Sequence, residues 1–115
     1  MLIAGGGKRQ GAQAAIIFDA DAMRFDVAPR PNVMRNGGTA MAIAEGRVLV
    51  AGGAPASNGE AEIYDMTRER WYECGRPGSE RFNGAALRLA DGRVLHIGGA
   101  SASGKAVLEI DVWTP

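Results

Sequence analysis

One cysteine, one histidine and two lysines in 115 residues leave little material for several common chemistries. Cys74 alone excludes an internal disulfide framework and any cysteine-rich zinc site. His96 is the only imidazole, so no histidine pair can form. Thirteen basic and thirteen acidic residues cancel, which removes the global field that draws a protein to DNA, RNA or an anionic membrane. Neither nucleic acid nor membrane is expected as a partner. No apolar run approaches the roughly 18 residues of a membrane span. Residues 1–4 run straight into glycines rather than a signal-peptide core, and the expectation is either that the chain stays where it is made or that a leader lies outside this sequence. Ser-His-Asp sets, phosphate loops and metal-spaced carboxylate clusters are missing as well, and no cofactor is expected.

What the chain has instead is glycine, 17 of them, in a composition that is 46% apolar and hence globular. The glycines are periodic. Arg35 and Arg81 stand 46 residues apart, and the same shift brings Gly38, Ala40, Ala44, Gly46, Arg47, Val48 and Leu49 onto Gly84, Ala86, Ala90, Gly92, Arg93, Val94 and Leu95. Gly52-Gly53 then meets Gly98-Gly99, and Asp65 meets Asp111. Backwards, Gly6-Gly7 falls on Gly52-Gly53, Phe18-Asp19 on Tyr64-Asp65, Phe25 on Trp71 and Pro31 on Pro77. Such self-similarity fixes an architecture before any single residue does.

Each repeat reads as four short strands. The first spans 40–44 and 86–90, and Glu45-Gly46 or Asp91-Gly92 supplies a tight turn after it. The second spans 2–5, 48–51 and 94–97, and the third 14–19, 61–65 and 106–111. The fourth holds Phe25 or Trp71. Four antiparallel strands in roughly 40–50 residues describe a propeller blade. The expected fold is therefore all-β, a partial β-propeller of about 2.5 four-stranded blades in three blade slots. The chain divides into a partial blade at 1–30, a complete one at 31–77 and a partial one at 78–115.

Gly52-Gly53, then Tyr64, then Trp71 resembles the kelch repeat, with its diglycine after the second strand and its tyrosine and tryptophan on the third and fourth. The stretch from Asp91 to Leu95 with Gly98-Gly99 is similar to the bacterial, galactose-oxidase-like version. The last repeat carries Ile110 where the tyrosine is expected. Gly52, Gly53, Gly98, Gly99, Tyr64 and Trp71 are expected to be structural, the glycines allowing close approach and Trp71 acting as a buried anchor between blades. Galactose-oxidase-like enzymes join a cysteine to a tyrosine beside copper, and Tyr72 and Cys74 share a strand face. The rest of that copper set is missing here, so the resemblance does not bring an enzyme's catalytic residues with it.

Strand alternation puts the loops between second and third strands on the same end as the connections between repeats. Binding residues favour such irregular segments on a rigid scaffold. Arg30, Arg35, Arg76, Arg81 and Asn83 fall there, with Lys8, Arg9 and Lys105. The last three do not recur once per repeat and read as solvated loop tips, whereas a ring of the other arginines could grip a carboxylate, phosphate or sugar acid. For Arg35 and Arg81 a second reading stands beside this one: recurring once per repeat, they could instead pair with a carboxylate or carbonyl of the next blade. His96 sits where the other repeats have Ala4 and Val50, and marks either a site or a packing position. The resulting expectation is a non-catalytic binding or scaffold module with a protein or carbohydrate partner. The alternatives are a piece of a sugar-modifying kelch enzyme whose chemistry lies elsewhere, and a structural subunit of a virion or surface appendage. The open blade faces also imply self-association or further blades of a longer chain.

Overall fold

The computed structural model describes residues 1–4, 15–33, 35–53 and 60–115. Gly6-Gly7, Lys8, Arg9 and the loop at 54–59 lie outside the described residues. Among those described, every element is a strand: β1 (Leu2–Ala4), β2 (Ala15–Asp19), β3 (Arg24–Ala28), β4 (Thr39–Ala44), β5 (Arg47–Ala51), β6 (Glu62–Asp65), β7 (Arg70–Glu73), β8 (Ala85–Arg88), β9 (Val94–Ile97) and β10 (Asp111–Trp113). They form three antiparallel sheets in chain order, β1-β2-β3, β4-β5-β6-β7 and β8-β9-β10. The expected all-β fold is what the chain adopts.

Local chemistry explains the repeated hairpins. Asp19 Oδ1 accepts the N–H groups of Asp21 and Ala22 at 3.0 Å, and Asp65 Oδ1 accepts those of Thr67 and Arg68 at 3.1 and 3.0 Å. Each carboxylate thereby folds the chain behind it into a turn, a task for which aspartate is suited. The N–H donors hold both carboxyls below their usual range, Ala22 contributing most at Asp19 and Arg68 at Asp65. Both turns end on a left-handed residue, Met23 at φ 50° and Glu69 at φ 51°.

Alternation along the strands gives the central sheet two apolar faces. Leu49, Ala51 and Ala61, with Met41 and Ile63, pack against Val94, Ala86 and Trp113 of the third sheet. On the opposite face, Tyr64 and Trp71 pack against Ala15 and Ala28, with Leu2, Ala4 and Ile17, of the first sheet. The central sheet is thus covered on both sides, and the two outer sheets on one side each.

The diglycines hold equivalent places. A Cβ at Gly53 would lie 2.8 Å from the Gly38 nitrogen, and one at Gly99 would lie 2.9 Å from the nitrogen of Gly84. Both glycines have positive φ, 88° and 80°. The chain that leads into the first strand of the same sheet, β4 or β8, passes too close for any side chain there.

Three expectations need correction. The last repeat's third strand was expected over 106–111, yet β10 begins at Asp111. The shift of 46 fails in this stretch because 49 residues separate Tyr64 from Trp113, its structural counterpart; Tyr64 pairs with Val48 and Trp113 with Val94. Trp113, not Ile110, therefore occupies the aromatic position, and Ile110 is 59% exposed. By the same offset Asp111 corresponds to Glu62 rather than to Asp65. Second, the strand expected over 86–90 runs Ala85–Arg88. Third, Trp71 is only half-buried. Its indole N–H donates to the Pro29 carbonyl at 2.7 Å, and its ring lies 5.0 Å from that of Tyr64. Tyr64, with no exposure, is the buried anchor of this pair.

Substitutions should rank accordingly. Tyr64→Ala is expected to cost about 3–5 kcal/mol, as for other large buried aromatics, and Trp71→Ala about 2 kcal/mol. Tyr64→Phe should stay within about 1 kcal/mol of the parent. Urea unfolding followed by circular dichroism measures all three, and a Trp71→Ala loss equal to that of Tyr64→Ala would contradict this ranking.

Candidate functional site

Among the described residues, the connections before β4 and β8 meet the chain that follows β5 and β9 at one end of the central and third sheets, and buried arginines tie them together. Arg35 Nη1 donates to the Gly52 carbonyl at 3.0 Å, while Nη2 donates to the Glu60 carbonyl and, at 3.3 Å, to Glu62 Oε2. Glu62 in turn accepts the N–H groups of Asn32 at 2.8 Å and Val33 at 3.2 Å. The third sheet repeats the pattern. Arg81 Nη1 donates to the Gly98 carbonyl at 3.0 Å, and Nη2 donates to the Glu109 carbonyl at 2.9 Å and Asp111 Oδ2 at 2.7 Å. Asp111 Oδ1 accepts the Gly78 N–H at 2.8 Å.

The partners of each arginine belong to its own repeat, which corrects the expectation that they reach the next blade. Burial lowers the Arg35 guanidinium below its usual value, against the pull of Glu62, but an arginine retains its charge under such a shift. Side-chain exposures of 4% for Arg35 and 0% for Arg81 leave neither guanidinium open to a ligand at the surface.

The remaining candidates divide between surface and interior. Arg30 is exposed. Arg76 is exposed too and pairs loosely with Glu60 at 3.5 Å. Asn83 is exposed, left-handed at φ 54°, and donates its N–H to the Gly37 carbonyl at 2.8 Å, linking the central and third sheets. Lys105 is exposed as well.

His96 is buried between those two sheets. Its Nε2 lies 3.2 Å from Thr39 Oγ1, and its Nδ1 has no partner among the described residues. Burial, with the nearby Arg81 charge, lowers its pKa below the ordinary histidine value, and Asp111 opposes this weakly. His96 lines a cavity of about 110 Å³ between the sheets, with Thr39, Cys74, Arg76, Asp111 and Trp113. Sites for drug-sized ligands are about 300–1,000 Å³, so this space suits at most a very small molecule.

Cys74 was noted in sequence only beside Tyr72. Folding places it instead in the cavity wall, while Tyr72 stands with Arg47, Asp65 and Arg68 around a separate surface hollow. Burial pushes the Cys74 thiol up to about 11. At neutral pH it is a thiol rather than a nucleophilic thiolate. Among the described residues no three His, Cys, Asp or Glu side chains converge in a way that could hold a metal ion. The partnership of Glu62 and Asp111 with the recurring arginines was not read from the sequence. A search for acidic residues two positions before an aromatic on the third strand would have found it.

Comparison with protein-family models and with curated proteins finds no match to this chain.

The arginines and His96 each set measurable outcomes. Arg35→Met leaves the fully buried Glu62 without its countercharge, and such a loss is expected to cost about 3–5 kcal/mol in denaturant unfolding. Arg76→Met, at the surface, should cost less than about 1 kcal/mol. For His96 the folded state resists protonation. Stability should be full above the free-histidine value of about 6.5 and decline as pH falls below it. His96→Val, which installs the residue found at position 50, should flatten this part of the unfolding-versus-pH curve. An unchanged slope would mean that His96 does not titrate between the folded and unfolded states.

Proposed function

We propose that this chain is a segment of a kelch-type β-propeller that serves as a non-catalytic binding or scaffold module. In this reading each sheet is one blade, and the end where the loops gather faces a protein or carbohydrate partner. The observation that carries the proposal is the repeated tie just described. Twice, a buried guanidinium and a carboxylate hold the connection before a sheet to the loop within it. The described ends of the irregular segments are thereby held on a rigid frame, which is the arrangement binding loops require. Their exposed polar groups, Arg30, Arg76, Asn83 and Lys105, suit carboxylates, phosphates and sugar hydroxyls. The small cavity at His96 belongs to the packing between blades, so recognition falls to the loop surface.

A panel of acidic and neutral oligosaccharides and acidic peptides, titrated into isotopically labelled protein, tests this reading. Amide shifts are expected at Arg30, Arg76, Asn83 and Lys105. For a ligand that binds, the double variant Arg30→Ser/Arg76→Ser should weaken affinity about tenfold, the loss of roughly one good charge-assisted contact. Arg68→Ser, at the opposite end, should leave it unchanged. Shifts confined to that opposite end, or no binding across the panel, would overturn the proposal.

A further inference from the structure

The two contacts between sheets have the same polarity. In the first, the aromatic face of the central sheet, Tyr64 and Trp71, lies on the aliphatic face of the first sheet, Leu2, Ala15 and Ile17. In the second, the face of the third sheet that carries Trp113 and Val94 lies on the aliphatic face of the central sheet, Met41, Leu49 and Ile63. Position by position, Phe18 and Phe25 in the first sheet are the counterparts of Tyr64 and Trp71. The strand pairing is identical, Phe18 opposite Phe25 and Tyr64 opposite Trp71. Likewise Leu87 and Leu95 in the third sheet are the counterparts of Met41 and Leu49, and they too are cross-strand partners.

The outer faces are therefore the two halves of an interface that the chain already makes twice. At one end the first sheet presents Phe18, Phe25 and Val27, with Phe25 66% and Val27 90% exposed. The two phenyl rings lie 4.9 Å apart, close to the 5.0 Å of Tyr64 and Trp71. At the other end the third sheet presents Leu87, Leu95, Ile97 and Val112, with Leu87 and Val112 about half exposed. Gly52 and Gly98 report the same asymmetry. A Cβ on Gly52 would meet His96 and the Arg81 carbonyl of the following sheet, whereas one on Gly98 would meet nothing within 4 Å.

We infer that the aliphatic face of the third sheet docks the aromatic face of the first sheet of a second copy of this chain, head to tail. Residue types, strand register and polarity at both faces match the internal contacts, so a second copy extends the stack with no new chemistry. Such a contact is heterologous, using different surfaces on the two partners. The inference is independent of what the loops bind.

Paired surface variants test it by sedimentation velocity. The wild-type chain should sediment above its 12.0 kDa monomer mass with rising concentration. Phe25→Glu, which spoils only the aromatic face, and Leu87→Glu, which spoils only the aliphatic face, should each be monomeric alone. Mixed in equal amounts they should form a 1:1 dimer and nothing larger, because one intact face of each remains. Circular dichroism checks that each variant is folded, and Val27→Lys and Val112→Lys replace any that is not. A wild-type chain that stays monomeric, as it would if another protein owned these faces, overturns the inference. So does a single variant that keeps the wild-type mass, the mark of two like faces pairing, and so does a mixture that fails to associate.

Discussion

A buried guanidinium that binds one carboxylate and two backbone carbonyls is the constraint on which this architecture rests. Loops that turn back over the end of a sheet carry carbonyl and N–H groups that no strand can pair, and burying them unpaired costs stability. Arg35 satisfies the carbonyls of Gly52 and Glu60 at once, and Glu62 takes the N–H groups of Asn32 and Val33. Arg81, with Asp111, does the same for Gly98, Glu109 and Gly78. Replacing such an ion pair with apolar side chains could cost little in Coulomb terms, since desolvation offsets much of the attraction. The backbone groups would still be stranded. What the arginine supplies is a planar set of donors in a fixed fork, which lysine lacks.

With the loops tied, the sheets can stack. The second glycine of each diglycine lets the chain that leads into β4 or β8 pass within touching distance, and Tyr64 with Trp71 in the central sheet and Trp113 in the third fill the space between sheets. His96 is the exception within this packing. It occupies the place of Val50 in the central sheet, and there it puts a polar ring and Thr39 against each other across the interface. Cys74 and Trp113 border the same gap. The small cavity therefore has a polar edge, His96 with Thr39, beside its apolar lining of Met41, Leu49 and Val94.

Much of this was legible beforehand. Glycine pairs, turn aspartates and strand alternation are local signals, set by which backbone angles a residue tolerates and which face it presents, and they led to ten strands in three groups. The shift of 46 was legible too, but it broke after Gly99, where three extra residues enter before β10. A gapless comparison carried the correspondence past that point and matched Asp111 to Asp65 and Ile110 to Tyr64. Nothing in the residue types alone opposed this, because aspartate and a large apolar residue are acceptable at both positions.

The sequence by itself determined the strand count, the hairpins and the apolar character of both sheet faces, because these depend on contacts between near neighbours and on side-chain period. Only the tertiary structure decided which carboxylate meets each arginine, that both arginines are consumed by their own repeats, and that Tyr64 rather than Trp71 is fully covered. It also separated Cys74 from Tyr72: β7 ends at Glu73, and the two side chains, two positions apart, have different surroundings. The arginine contacts alone join segments 17 to 30 residues apart in the chain, and the others depend on which neighbouring sheet lies against a residue. Such distances follow from how sheets stack and how long the intervening loops are, and no residue encodes them alone.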